Sequence, residues 1–309
     1  MKKILFYILL IYSLIFFWGC TRNNKIGYDN LYFSIHGQLI YNEYSKELIF
    51  PAADQFVFLN IENGNIRQFP ISGIVIIYSL SNDGKYLAFI CNERYGCIDS
   101  KYKLEIRDIE SFSIIQEYDI KTYGILDWNE NGDLFYLPYK SNTGIGYFKK
   151  VNINNNKLEK LINISLNMPV TGFYCYENNF IIIDNIGHNY KTRDKTEVYH
   201  LSSNGKKILL KDEIMFFSFE NNILYYIGSD YNLKEFNLQK ENVKVISNIK
   251  SEYSEGIMQF TIHDDFIFLK IRKKNRILIV IYNLKTKEYN EIFKRKIIKN
   301  DVYDQEIFK

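Results

Sequence analysis

Short apolar runs rich in Ile, Phe, Tyr and Val alternate along this chain with Asn/Asp/Gly turns and polar loops. A run, a tight turn, a second run, a polar loop and a second hairpin recur in that order six times. The first turn of each unit falls near Ser45, Asp83, Asn131, Asn178, Asn221 and Asp264. Their spacing averages about 44 residues, the length of one four-stranded propeller blade. β-branched and aromatic residues favour strands, and Asp83-Gly84 and Asn131-Gly132 supply the left-handed conformations of tight hairpin turns. In the second unit the strands read Ile74–Leu80, Lys85–Ile90, Leu104–Asp108 and Ile114–Tyr118. Runs such as Ile181-Ile182-Ile183 are apolar on both faces, as expected of sheets stacked face to face. No window carries an amphipathic helical stripe. The pattern therefore predicts an all-β chain: a β-propeller of six blades, each of four antiparallel strands. Apolar ends at Tyr28–His36 and Ile297–Phe308 are expected to close the ring by pairing its first and last blades. Meeting as a seventh blade is their alternative.

The first twenty residues break the pattern. Met1-Lys2-Lys3 is a short positive segment, Ile4–Trp18 is almost wholly apolar, and Gly19-Cys20 precedes the polar stretch Thr21–Lys25. An apolar run this short falls below the ~20 residues of a membrane span and has the layout of a secretory signal. The placement of Cys20 resembles the lipobox of bacterial lipoproteins, with Gly19 fitting and Phe17 and Trp18 standing where Leu and a small residue are usual. That resemblance implies lipidation at Cys20 and export, with membrane anchoring in the periplasm or at the cell surface. An uncleaved anchor or an ordinary signal peptide is the alternative. The expected division is 1–19 signal peptide, 20–30 short linker and 31–309 a single propeller domain.

Charge narrows the partners. Without Lys2 and Lys3 the chain keeps 37 basic and 36 acidic residues, too balanced to recruit nucleic acid or an anionic surface by net charge. Two local basic clusters remain, Arg272-Lys273-Lys274-Asn275-Arg276 and Lys294-Arg295-Lys296 with Lys299. The first reads as a charged hairpin tip joining strands B and C, with an anionic partner as the second reading. Four cysteines are present. Cys91 and Cys97 flank a short loop and form a disulfide candidate for an oxidising compartment, two thiols being the alternative. Cys175 sits in an apolar strand as a small hydrophobe.

Ser81-Asn82-Asp83-Gly84-Lys85-Tyr86-Leu87-Ala88-Phe89 is similar to the WD40-like repeat of the TolB type, whose blades carry Ser-x-Asp-Gly-Lys-x-Leu-Ala-Phe. Asn82 replaces the usual Pro, and Trp128-Asn129-Glu130-Asn131-Gly132-Asp133-Leu134 is a weaker copy. The resemblance implies the propeller. Its members range from protein-binding scaffolds to enzyme domains, so it implies no single activity.

No enzyme signature appears: no Gly-x-Ser-x-Gly, no phosphate-binding Gly-rich loop and no His-Glu-x-x-His. Asp127–Gly132 matches the start of a calcium loop, but Pro138 stands where the bidentate carboxylate is due. The four histidines, His36, His188, His200 and His263, have no metal-ligand spacing, so neither cofactor nor metal is expected. In a propeller the B–C and D–A loops share one face. The two longest B–C loops, Asn92–Lys103 and Asn185–Thr196, place Glu93, Arg94, Tyr95, His188, Tyr190, Arg193 and Asp194 there as binding-face candidates. The expected function is a monomeric, non-catalytic scaffold that binds an envelope protein or small ligand. The alternatives are a hydrolase or lyase acting on saccharide or peptide at the channel mouth, and a surface adhesin or sensor. Paired carboxylates, or His with a carboxylate, at the mouth would favour the enzyme.

Overall fold

The computed structural model describes residues 39–52, 55–92, 102–138, 145–152, 157–165, 170–176, 179–184, 196–202, 205–220, 222–251, 254–273 and 276–296. Each sequence unit closes into its own sheet. Blade 1 comprises β1 (Ile40–Asn42), β2 (Glu47–Ala52), β3 (Gln55–Asn60) and β4 (Ile66–Pro70). Blade 2 comprises β5 (Ile74–Leu80), β6 (Tyr86–Asn92), β7 (Tyr102–Asp108) and β8 (Ile114–Ile120). Blade 3 comprises β9 (Gly124–Trp128), β10 (Leu134–Pro138), β11 (Ile145–Asn152) and β12 (Lys157–Ser165). Blade 4 comprises β13 (Val170–Tyr176), β14 (Asn179–Asp184), β15 (Thr196–Ser202) and β16 (Gly205–Asp212). Blade 5 comprises β17 (Phe216–Glu220), β18 (Ile223–Ile227), β19 (Asn232–Asn237) and β20 (Asn242–Asn248). After a single 3-10 turn at Ser254–Gly256, blade 6 comprises β21 (Ile257–His263), β22 (Phe266–Lys273), β23 (Arg276–Asn283) and β24 (Tyr289–Lys296).

All pairings are antiparallel, and each sheet keeps its strands in sequence order. The outer pair of blades 2 to 6 carries a register shift, for instance between Ile106 and Arg107 and between Ile279 and Val280. Such bulges strengthen the twist of a sheet. The first strands line the centre of the ring. β1 lies beside β5 and β21, β5 beside β9, β9 beside β13, and β17 beside β21. Blades 4 and 5 meet where Tyr174 stacks on Phe219, with ring centroids 4.6 Å apart. The ring thus has six blades, and all described residues belong to one compact unit, Tyr32–Lys309. The expected closing segments, Tyr28–His36 and Ile297–Phe308, lie outside the described residues.

Burial between blades explains the unbroken apolar runs. Ile182 packs with Phe135, Phe148 and Tyr199 in the blade 3–4 core, while Ile181 and Ile183 pack with Leu224, Tyr226 and Phe236 in the blade 4–5 core. Successive residues of a strand point to opposite faces, so a blade with two neighbours needs both sets apolar. Fully burying one such side chain stabilises the fold by roughly 1.5–3 kcal/mol. Between blades 6 and 1, Tyr41 stacks on Phe268 at 5.1 Å and Phe50 meets Phe293 edge-on at 6.1 Å.

Candidate functional site: two faces and the joints of the channel

The first strand of every blade runs the same way through the ring. The A–B and C–D turns therefore gather on one face, and the B–C and D–A connections on the other. The turn face repeats one device. At the end of β3, β7, β19 and β23 stand Asn60, Asp108, Asn237 and Asn283, whose side-chain oxygens accept hydrogen bonds from two backbone N–H groups of the following turn. Four residues further on, Gly64, Phe112, Glu241 and Lys287 each take a left-handed φ between 50° and 72°. The intervening aliphatic residues, Ile61, Ile109, Leu238 and Leu284, donate their N–H to carbonyls of the A–B turn, at Lys46, Lys85, Asn222 and Asp265. One turn is thereby stapled to the other within blades 1, 2, 5 and 6. The A–B turns have their own left-handed residues, Lys46, Gly84, Gly132, Asn222 and Asp264. At Gly84 a side chain is excluded as well, because a Cβ would stand 2.6 Å from the Tyr44 ring.

On the other face the D–A connections hold 3, 3, 4, 3 and 8 residues, and the B–C connections vary more. The B–C connections hold 2, 9, 6, 11, 4 and 2 residues in blades 1 to 6, while every A–B and C–D connection holds between 2 and 5. The candidates Glu93, Arg94, Tyr95, His188, Tyr190, Arg193 and Asp194 belong to the 9- and 11-residue connections and lie outside the described residues, as do Cys20 and Cys97. Cys91 is described. It is buried on β6, with its Sγ 3.7 Å from Glu105 Oε1. The Cys91–Cys97 disulfide stays an expectation.

Within the ring the ionisable groups hold strands and blades together. Asp127, near the end of β9, links three blades. One oxygen accepts the Cys175 backbone N–H at 2.7 Å and the other the Ser79 hydroxyl at 3.4 Å. The innermost strand of a blade is a sheet edge with unpaired backbone groups, and Asp127 satisfies one of them. Trp128 does likewise, its buried Nε1–H donating to Ser79 O at 3.2 Å. Burial pushes the Asp127 carboxyl up to about 7, against the downward pull of these hydrogen bonds. It also pushes the Cys175 thiol well above its usual range, and the Asp127 charge adds to that. The Asp127–Gly132 stretch is thus a strand end followed by a capped hairpin turn, in which Asn129 Oδ1 accepts from Asn131 and Asp133 N–H.

Across the ring a second joint is less enclosed. His263, ending β21, places Nδ1 3.0 Å from Glu220 Oε1 and Nε2 3.5 Å from Asp264 Oδ2, and its ring tilts against Tyr41 at 4.7 Å. Burial raises the Glu220 pKa, opposed by the His263 hydrogen bond. This His–carboxylate pair lies at the turn face, formed by residues 43 apart in sequence.

Two arginines paired with buried glutamates complete the frame. Arg67 grips Glu47 with Nε and Nη2 at 2.9 and 2.7 Å, lies over Phe58 and Phe69, and reaches the Ile109 and Glu110 carbonyls of blade 2. Arg107 holds Glu105 at 2.7 and 2.8 Å over Phe89 and Phe112. At the loop face, Asp212 accepts from Tyr226 at 2.7 Å and Lys234 at 2.9 Å. Burial would raise its pKa, but these bonds outweigh burial and hold it below the ordinary carboxylate value. Lys270 on β22 is fully buried, and burial lowers its amine to about 7. Among the described residues no group of three or more His, Cys, Asp or Glu is arranged to hold a metal ion. Nor is any described helix long and apolar enough to cross a membrane.

No protein-family model matches the chain, and no curated protein matches it. Solved structures do. The tricorn protease superposes with a TM-score of 0.55 at 15% identity, over 82% of this chain and 26% of that one. The propeller domain of the Trilobed protease from Pyrococcus furiosus gives 0.52 at 15% identity, over 84% of both chains. TolB from Acinetobacter baumannii gives 0.51 at 10% identity, over 81% of this chain and 61% of that one. The chain thus spans about a quarter of the tricorn protease and under two thirds of TolB. At identities this low the likeness establishes the fold alone: the chain is a β-propeller.

Proposed function

We propose that this protein is an exported, lipid-anchored β-propeller that binds another envelope protein or a small ligand through its B–C and D–A loop face, without catalysing a reaction. One observation carries the reading: connections at the turn face are all short and, in blades 1, 2, 5 and 6, stapled alike, whereas B–C connections range from 2 to 11 residues. A rigid floor with an irregular opposite face is how scaffolds present binding loops. The engagement of Asp127, Glu47, Glu105 and Asp212 in joints of the frame supports a structural rather than reactive interior. Anchoring rests on the Gly19-Cys20 boundary after the apolar Ile4–Trp18 run. Crosslinking the native chain in its own envelope tests the whole reading. The expected result is one recurrent partner, lost from an Arg94→Glu/Arg193→Glu form and from a Cys20→Ala form released from the membrane. Recovery of the protein alone in every form overturns protein binding.

A hydrolase or lyase acting on saccharide or peptide is the second reading, favoured by the His263–Glu220 pair. A partly exposed imidazole against a carboxylate of raised pKa has the form of an acid–base couple. Two of the structural neighbours are proteases by name. Saccharide or peptide cleavage that vanishes in both His263→Asn and Glu220→Gln would establish this reading over the first.

A further inference from the structure

The two basic clusters of the sequence are one feature of the fold. Strand register sets Lys273 opposite Arg276, Arg276 opposite Lys296, Ile277 opposite Arg295 and Leu278 opposite Lys294. The end of β22, the start of β23 and the end of β24 therefore meet at one corner of blade 6. Among the described residues, Arg272, Lys273, Arg276, Lys294, Arg295 and Lys296 put six basic residues on these strand ends. Arg276 and Lys294 are exposed, and Glu291 stands 3.9 Å from Lys294. In a chain whose charges nearly cancel overall, this corner carries a local positive field.

Topology gives the corner a place. β22 and β24 both end on the loop face. The chain enters blade 1 through Leu39 at the start of β1, also on the loop face, and β1 lies beside β21 of blade 6. Eighteen residues separate Cys20 from Leu39. Eighteen residues reach at most about 65 Å. A chain held through Cys20 thus keeps the entry to blade 1, which lies beside blade 6, within that reach of the membrane.

We infer that the basic corner of blade 6 rests on anionic lipid headgroups of the membrane that holds the Cys20 lipid. The inference rests on the anchored reading above. A polybasic surface is a standard second signal for a lipid anchor, acting within about one Debye length of the headgroups. Blade 3 lies opposite blade 6 in the ring, so a propeller leaning on this corner turns the long B–C connections of blades 2 and 4 outward. The contact thereby sets which part of the loop face is open to a partner.

The test uses the full chain, purified with its lipid and reconstituted into vesicles of phosphatidylcholine with or without phosphatidylglycerol. Lysines are acetylated and their reactivities read one by one by mass spectrometry. Lys273, Lys294 and Lys296 are expected to react roughly fivefold more slowly on the anionic vesicles, and high salt to abolish the difference. Lys85 and Lys285, exposed on the turn face, serve as controls that do not change. An Arg276→Glu/Lys294→Glu form, altered only at exposed positions, is expected to lose protection at Lys273 without losing thermal stability. Equal reactivity on both vesicles overturns the contact. Equal protection by a soluble polyanion without vesicles overturns the membrane as its partner. A Cys20→Ala chain recovered with vesicles as fully as the lipidated one overturns the anchored reading itself.

Discussion

The two faces of the ring are built by opposite rules. On the turn face, blades 1, 2, 5 and 6 repeat the same Asx cap, the same left-handed residue four positions on and the same backbone staple between turns. On the loop face the B–C connections differ more than fivefold in length. Identical local chemistry at four places marks a part whose job is to hold shape. The difference teaches where substitution should cost stability and where it should change only what the protein binds.

The largest effect is expected where blades are joined near the turn face. Trp128 is buried and bridges blades 2 and 3, so Trp128→Ala should cost about 3–5 kcal/mol in denaturant unfolding. A loss below about 1 kcal/mol there would break the comparison at its strongest point.

Next comes a pH dependence contributed by two buried groups. Folded Asp127 keeps a proton up to about pH 7 that the unfolded chain releases near 3.8. Its contribution is present in acid and fades as pH rises across that window. Folded Lys270 loses its proton near 7, while the unfolded chain keeps it to 10.5. Stability should therefore recover as pH rises through the alkaline window. Together these groups give a minimum near neutrality, each arm worth on the order of a few kcal/mol. Thermal melts from pH 4 to 10 check this. Asp127→Asn should flatten the acid arm alone and Lys270→Met the alkaline arm alone.

Smaller effects sharpen the contrast further. Asn237→Ala and Asn283→Ala should each cost about 1 kcal/mol, because each leaves two turn N–H groups without their cap. Arg94→Glu and Arg193→Glu, in the long B–C connections, should leave the unfolding midpoint within about 0.5 kcal/mol of the parent. Equal cost at the caps and at these loops would dissolve the distinction between faces.

The blades were legible because turn chemistry and strand composition agree at a fixed period. Ile74–Leu80 is a strand as expected, and Asp83-Gly84 is its turn. Boundaries slipped where side chains mislead. Lys85 reads as strand but belongs to the turn, its carbonyl tied to Ile109 N–H. β2 runs through Pro51 to Ala52. The joints were not legible in the same way. Ser79, Asp127 and Cys175 lie 48 residues apart, and only assembly brings them together. A usable signal existed for the floor: an Asn or Asp followed by Ile or Leu recurs at Asn60, Asp108, Asn237 and Asn283, and again in the sequence at Asn152-Ile153.

Among the described residues, each sheet comes from one uninterrupted stretch of chain, and neighbouring blades share no backbone ladder. A blade is therefore also a genetic module. Recombination that duplicates or deletes one unit of about 44 residues cuts no ladder and asks the remaining side chains only to meet a new neighbour. In such a lineage the circumference of the ring can change in one step while the floor is copied intact, leaving the loops free to diverge afterwards.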